Sequence, residues 1–468
     1  MARTRSALHP VGLRKSDGTR NSQLSENRSG RVVTPPPEFE ERVRRRVTRR
    51  LMPFLILVYI TAFLDRANVG VAKLGMQGAL GFTEEVIGFG AGIFFAGYFL
   101  LEIPGSLIVE RWSARRWLAR IMITWGLMAT LTGFAGMLPG GGSPKFQFYG
   151  LRFLLGAAEA GFFPGVLVYL THWFRQADRT RAKAWFMLAQ PLAIVIGTPI
   201  SRWILETVHW YGLPGWRWVF ILEGLPPVLM GFITLWFLPD HPADAKWLPP
   251  DEREWLETEL ERERKDREAT GSTSILAALR EPRTTLLAIA FFLIVTGNQA
   301  ILFFLPTITN NMKTISVAWR TVVATAPYVF SIFGILLNGY WAHRTGKKRL
   351  HTALPMFLTA FSLGMAILAG NNLALVITFF CLLGLTFQAY LPVFWSLPPA
   401  FLGKSGAAAA IGIINSVGNL GGFVGPYLFG YLRDTTGSFE TGMWCLVGSM
   451  ILAGTFAASV RVEENVRK

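Results

Sequence analysis

Apolar stretches of about twenty residues, separated by short polar segments, recur along this chain from Leu51 to Val460. A helix needs ~20 mostly apolar residues to cross the hydrocarbon core of a bilayer. Twelve stretches meet that length. They are Leu51–Val71, Val86–Val109, Trp117–Leu138, Phe146–Leu170, Ala182–Leu205 and Trp216–Leu238, then Thr285–Thr309, Thr321–Ala342, Leu350–Ala369, Ala374–Leu397, Ala407–Leu432 and Met443–Val460. A long polar segment separates the sixth from the seventh. The pattern predicts an all-α membrane protein of twelve transmembrane helices in two six-helix bundles, residues 51–238 and 285–460. A cytoplasmic linker, 239–284, joins them, and polar tails occupy 1–50 and 461–468.

Only 16% of the residues are charged, against roughly 25% in soluble chains, which leaves no room for a sizeable soluble domain. The net charge of +16 would suggest nucleic acid in a soluble protein. Here it follows the rule that cytoplasmic loops gather Lys and Arg. Arg111, Arg115, Arg116 and Arg120 follow span two; Arg175, Arg179, Arg181 and Lys183 follow span four; Arg344, Lys347, Lys348 and Arg349 follow span eight. The alternate connections are sparse, so both termini are expected in the cytoplasm. The tail to Arg50 lacks an apolar core and the order of a cleaved signal peptide, and reads as disordered. Its arginines at 42, 44, 45, 46, 49 and 50 form a positive-inside anchor. In the linker, EREWLETELERERKDRE has Glu and Arg at helical spacing with little apolar surface, the mark of a solvated helix serving as a spacer.

Cys381 and Cys445 lie inside apolar stretches and indicate neither a disulfide framework nor a metal site. No Walker-type loop, HExxH or Cys pair is present, which argues against an enzyme, a cofactor or ATP as a driving force.

The halves repeat. Glu110-Arg111-Trp112-Ser113-Ala114-Arg115-Arg116 after span two corresponds to His343-Arg344-Thr345-Gly346-Lys347-Lys348-Arg349 after span eight, with Arg111 matching Arg344 and Arg116 matching Arg349. Gly156 and Pro164 match Gly384 and Pro392 at a slightly smaller offset, which the insertion Pro139–Gly142 explains, and Gly197 matches Gly425 likewise. Duplicated halves with a site between them near the midplane are a transporter architecture.

These basic loops resemble the duplicated loop motif of the major facilitator superfamily. Ser106, Glu110 and Ser113 depart from it in the first copy, and His343 replaces the usual Asp in the second. The stretches LDRANVGVA, YFLLEIPGS, GLRFLLGAAEAGFFPG, LPDHPADAKWLPPDE and INSVGNLGGFVGP are together similar to its bacterial anion:cation symporter family. The resemblance implies a monomeric, multi-pass carrier in the cell (inner) membrane that moves a small organic anion by alternating access, driven by protons. Relatives of that kind carry sugar acids, tartrate, aromatic carboxylates, glutamate or sialic acid. Exchange, uniport and a substrate sensor that no longer transports remain alternatives.

The residues themselves support a carrier. A charge at the centre of a membrane helix costs roughly 2.5–3.5 kcal/mol, so each one is a functional candidate. Span one holds Asp65 and Arg66; span four holds Arg152 and Glu159, two turns apart and placed to flank a ligand. An arginine fork matches a carboxylate in bidentate fashion. A carboxyl shielded from water can take and release a proton. Without a ligand, the same four would simply neutralise one another. The resemblance implies that Asp65 and Glu159 couple protons and that Arg66 and Arg152 bind substrate. It also places Tyr98, Gln190, Ser396 and Asn415 along the substrate path, and Glu110, Arg111, Arg115, Arg116, Arg344, Lys348 and Arg349 in the gating loops. Tyr390 and Trp395 cap the cavity or pack. Glu102 and Glu223, towards span ends, read as salt-bridge partners. The Gly-rich run Gly418–Gly425 before Pro426 reads as a packing and rocking device.

Overall fold

The computed structural model describes residues 36–111, 113–140, 142–269, 280–370, 372–402 and 404–461, and the regular elements among them are all helical. The first half comprises α1 (Pro37–Leu80), α2 (Glu84–Arg111), α3 (Ala114–Thr132), α4 (Pro144–Glu159), α5 (Phe162–Thr171), α6 (Gln176–Met187), α7 (Ala189–Thr207) and α8 (Gly215–Phe237). The linker contributes α9 (Pro250–Ala269). The second half comprises α10 (Pro282–Asn310), α11 (Val317–Thr345), α12 (Lys348–Leu368), α13 (Leu373–Phe387), α14 (Leu391–Phe394), α15 (Pro398–Phe401), α16 (Lys404–Thr436) and α17 (Phe439–Ser459).

Ten segments of the described residues are long and apolar enough to cross a membrane, with α4–α5, α6–α7 and α13–α15 each acting as one crossing. The other two crossings are α3, whose first turns carry Arg115, Arg116 and Arg120, and the Gly-rich α16. Large apolar side chains such as Leu100, Leu229, Trp236, Phe333, Leu336 and Leu368 are exposed on the outer surface, which suits lipid contact and not water.

Three crossings are broken, and each break has a local cause. Between α4 and α5 stands Gly161 at φ 83, a left-handed conformation that favours glycine, with Pro164 following. Between α6 and α7 the backbone keeps helical dihedrals at Leu188, but the hydrogen-bond ladder is interrupted because Pro191 lacks the N–H that would bond back to residue 187. The tenth crossing is interrupted around Pro392 and Pro398.

The sequence repeat is also a packing repeat. A Cβ at Gly156 would run into the backbone carbonyl of Phe94, and one at Gly384 into that of Pro327. Phe94 and Pro327 are related by the same offset as Arg111 and Arg344. Equivalent glycines therefore bring equivalent helices together, α4 on α2 and α13 on α11. Between halves, α2 packs on α16 and α7 on α11. Asp434 near the end of α16 accepts from the backbone N–H groups of Glu84 and Glu85 at 3.2 and 2.7 Å, capping α2. Beside it the buried Lys73 ammonium bonds Glu84 at 3.1 Å and lies 3.7 Å from the centre of the Phe304 ring.

Two expectations change. Helix α1 begins at Pro37 and not at Leu51, because the basic segment continues the helix of span one. The tail expected to be disordered to Arg50 is thus helical from Pro37, and residues 1–35 lie outside the described residues. The linker is more than a spacer: it is held to the first half. Asp240 accepts from the Ser113 hydroxyl at 2.7 Å and from the Arg115 N–H at 2.9 Å, extending the N-terminal cap of α3. Tyr169 donates to the Pro239 carbonyl, Arg46 to the buried Glu252, and Arg179 to Glu263. Trp173 stacks on Trp247.

Candidate functional site

Charges from α1 and α4 meet inside the first half. Arg66 reaches across to α4, where its Nε and Nη2 donate to Glu159 Oε1 at 2.9 and 2.5 Å. Its guanidinium also lies 5.1, 5.3 and 5.2 Å from the ring centres of Phe63, Phe94 and Tyr98, whose electron-rich faces favour a cation. Glu159 ends α4 immediately before the break at Gly161, and its Oε2 has no hydrogen-bond partner. Asp65 is buried, with Oδ1 accepting from the Asn68 amide at 3.3 Å and Oδ2 without a donor.

Arg152 is wholly buried two turns back along α4, and none of its three guanidinium nitrogens has a hydrogen-bond partner. Its guanidinium lies 5.1 Å from the centre of the Phe94 ring, so one ring serves both arginines. Arg152 and Glu159, two turns apart on α4, do not bond each other, as their spacing implied. Glu159 is engaged by Arg66 from α1, and Arg152 is the arginine whose fork is left open.

Tyr98, on α2, places its ring against the Arg66 guanidinium. One turn on stands Glu102, buried, with no salt bridge among the described residues. Its oxygens accept from the Asn415 amide at 2.7 Å and the Asn419 amide at 3.1 Å, both on α16. Asn415 thus meets a carboxylate from the other half. The salt-bridge reading of Glu102 gives way because, among the described residues, its hydrogen-bond donors are neutral amides one turn apart. An Asn pair at four-residue spacing in an apolar helix was the signal available in the sequence. Glu223 is likewise buried in α8 with Ser201 as its hydrogen-bond donor, not a cation.

Other expected residues are more dispersed. Gln190 is half-buried at the start of α7, next to the Leu188 break. Ser396 is half-buried between α14 and α15, and its hydroxyl donates to the Val393 carbonyl at 2.7 Å. Tyr390 accepts from Asn298 at 3.3 Å, and Trp395 packs on Phe291 and Phe394, an aromatic cluster of the second half's core. Of the gating-loop residues, Arg115 pairs with Asp240 and Arg349 donates to the Ala458 carbonyl, each anchoring its own half. Arg344 lies over Tyr340, Arg116 is exposed and Lys348 half-buried. Glu110 and Arg111 fall in α2, but their side chains lie outside the described residues. Among the described residues no group of His, Cys, Asp and Glu side chains is arranged to hold a metal, and both cysteines are free.

The sequence profile of the Major Facilitator Superfamily matches residues 55–426. This chain belongs to that superfamily. A protein from Agrobacterium vitis, provisionally named a tartrate transporter, is 40% identical over 92% of this chain and 97% of its own length. A protein of Pseudomonas putida with the provisional name metabolite transport protein NicT is 38% identical over 87% of this chain and 92% of its own. The inward-open structure of the xylose transporter XylE from E. coli superposes with a TM-score of 0.67 at 16% identity, covering 89% of this chain and 97% of that one. The fold is therefore that of the superfamily, twelve helices in two pseudo-symmetric bundles. The superfamily member is a multi-pass membrane transporter of small molecules, not an enzyme.

Proposed function

We propose that this carrier is a proton-coupled symporter of a small organic anion, working as a monomer in the cell membrane with both termini in the cytoplasm. The observation that carries the reading is Arg152, a fully buried guanidinium whose nitrogens have no hydrogen-bond partner. A buried polar group left unpaired costs ~1–3 kcal/mol, and more when charged, so a side chain in that state is explained by a partner that arrives. A planar fork of donors suits a carboxylate. Arg66 is tied to Glu159 but shares the Phe94 ring with Arg152, so a carboxylate bound at Arg152 competes with Glu159 for positive charge. Proton uptake by Glu159 frees Arg66 to assist, which links anion and proton. Asp65 supplies a second proton-accepting group nearby. The name of the Agrobacterium relative supports a carboxylate as cargo. Tyr98, Gln190 and Asn415 are assigned to the cargo path, and the bundles 51–238 and 285–460 to the two moving bodies.

The test uses proteoliposomes and labelled aldonates, aldarates, tartrate and aromatic acids. An inwardly directed proton gradient is expected to drive accumulation of one class, and a protonophore to collapse it. Accumulation indifferent to the protonophore overturns the coupling, and transport of none of these acids overturns the choice of cargo.

A further inference from the structure

Glu223 is a buried acid to which the reading above gives no task. It sits in α8, whose surroundings come from α1, α3 and α7. From α7 the Ser201 hydroxyl donates to Oε1 at 2.6 Å. From α3, Thr130 packs against the adjoining Gly224. From α1, Asn68 and Asp65 lie next to it. Arg217, on the same helix, is turned away: its Nη1 donates to the Gly133 and Ala135 carbonyls at 2.7 and 3.0 Å. No cation faces Glu223 among the described residues.

Glu102 is held by the α16 amides, Lys73 is paired with Glu84 and Arg217 is bonded to carbonyls, and among the buried charges that remain the count is uneven. Asp65, Glu159 and Glu223 are three acids, against the two arginines Arg66 and Arg152. Arg66 is bonded to Glu159, and Asp65 and Glu159 are acids close to Arg152. With all five ionised, one negative charge remains without a counterpart. Leaving a carboxylate buried in that state costs several kcal/mol, and such a group neutralises instead. Besides Glu159 Oε2, three acceptors around Asn68 also lack a donor: Asp65 Oδ2, Asn68 Oδ1 and Glu223 Oε2. One proton on Glu223 Oε2 cancels the surplus charge and supplies a donor beside Asn68, whose amide nitrogen already holds Asp65.

We propose that Glu223 is a third proton-binding group of the carrier, paired with Asp65 across Asn68, and that the two carboxyls hold one proton between them. The transfer balances: the proton leaves Glu223 Oε2 and arrives at Asp65 Oδ2, and the pair keeps a single negative charge throughout. When Asp65 carries the proton, Glu223 is the ionised member. The proposal rests on the proton-coupled reading and extends it to a residue outside the arginine site.

Infrared difference spectra of the purified carrier in lipid, titrated from neutral to alkaline buffer, report protonated carboxyls directly and need no transport. Wild type is expected to lose a protonated-carboxyl band that is missing from Glu223→Gln. In Asp65→Asn the midpoint of the Glu223 band should move by about one pH unit, since the partner charge is gone. Asn68→Ala should reduce the influence of Asp65 on that midpoint. Should Glu223→Gln fail to fold, Ser201→Ala serves instead, and the band should shift in frequency as the hydroxyl is removed. If no band responds to either change at Glu223 or Ser201, or the midpoint is the same in Asp65→Asn, the proposal is overturned. Loss of the band on adding sodium at constant pH also overturns it, in favour of a bound cation. Symport is judged separately by the protonophore experiment, so either idea can fail alone.

Discussion

The two halves are packed alike and charged differently. Buried in the first half are Asp65, Lys73, Glu102, Arg152, Glu159, Arg217 and Glu223; the buried polar side chains of the second half, among the described residues, are Thr, Ser and Gln388. The offset that relates Gly156 to Gly384 takes Arg152 to Phe380 and Glu159 to Phe387, both buried aromatics. The glycine that seats α4 on α2 is thus retained in the second copy, while the charges one turn to either side of it have apolar counterparts. Helix packing needs only a small residue at the crossing and is indifferent to what surrounds it. A buried charge is costly and persists where a ligand or proton uses it. In this carrier the interior chemistry is concentrated in one copy of a symmetric frame.

The comparison breaks most readily at Arg152. Arg152→Phe, which copies the second half into the first, and Arg152→Lys, which keeps charge but not the fork, are each expected to reduce uptake at least ~100-fold with insertion intact. Uptake assays on membranes of matched expression decide this, and normal affinity in the Lys variant would make Arg152 a generic counter-charge. Glu159→Gln comes next: accumulation should vanish, while counterflow exchange in preloaded vesicles persists, because Gln imitates the protonated carboxyl but releases nothing. Accumulation by this variant under a pH gradient removes Glu159 from coupling.

Packing offers the sharpening case, because there the halves should respond alike. Gly156→Val and Gly384→Val each press a side chain onto a neighbouring carbonyl, and each should cost about 1–3 kcal/mol, read as a lowered unfolding temperature in detergent. A large loss at one site and none at the other would break the packing symmetry. The smallest effect is expected in the second half. Ser396→Ala should change uptake by no more than about threefold, since its hydroxyl already donates to its own helix at Val393. A tenfold loss there would place cargo against the tenth crossing.

The twelve crossings were legible because each is a continuous apolar run, and Asp65, Arg66, Arg152 and Glu159 because ionised residues stand out within such runs. Which arginine meets which acid was not legible. Arg152 and Glu159 share a helix and a face, yet Glu159 is engaged from α1, and only the approach of α1 to α4 decides that. Glu102 and Glu223 were misread for the same reason, their partners being an Asn pair and a serine distant in sequence. The helix breaks carried signals in Gly161, Pro191 and Pro392, but a proline in a membrane helix is as often absorbed as obeyed: Pro53, Pro104 and Pro306 lie within unbroken helices. The docked linker escaped notice because ion pairs, caps and a few apolar contacts such as Leu248, Leu256 and the Trp173–Trp247 stack hold it, too few to make an apolar stripe.

Phe94 joins several of these observations. Its carbonyl abuts Gly156, and its ring lies against both Arg66 and Arg152. A single base change in its codon is enough to give leucine, an apolar side chain with no aromatic face to offer a cation. In a random-mutagenesis screen for inactive alleles, Phe94 should therefore recur well above its share of the gene, as a site where one inherited error disarms two arginines without altering either.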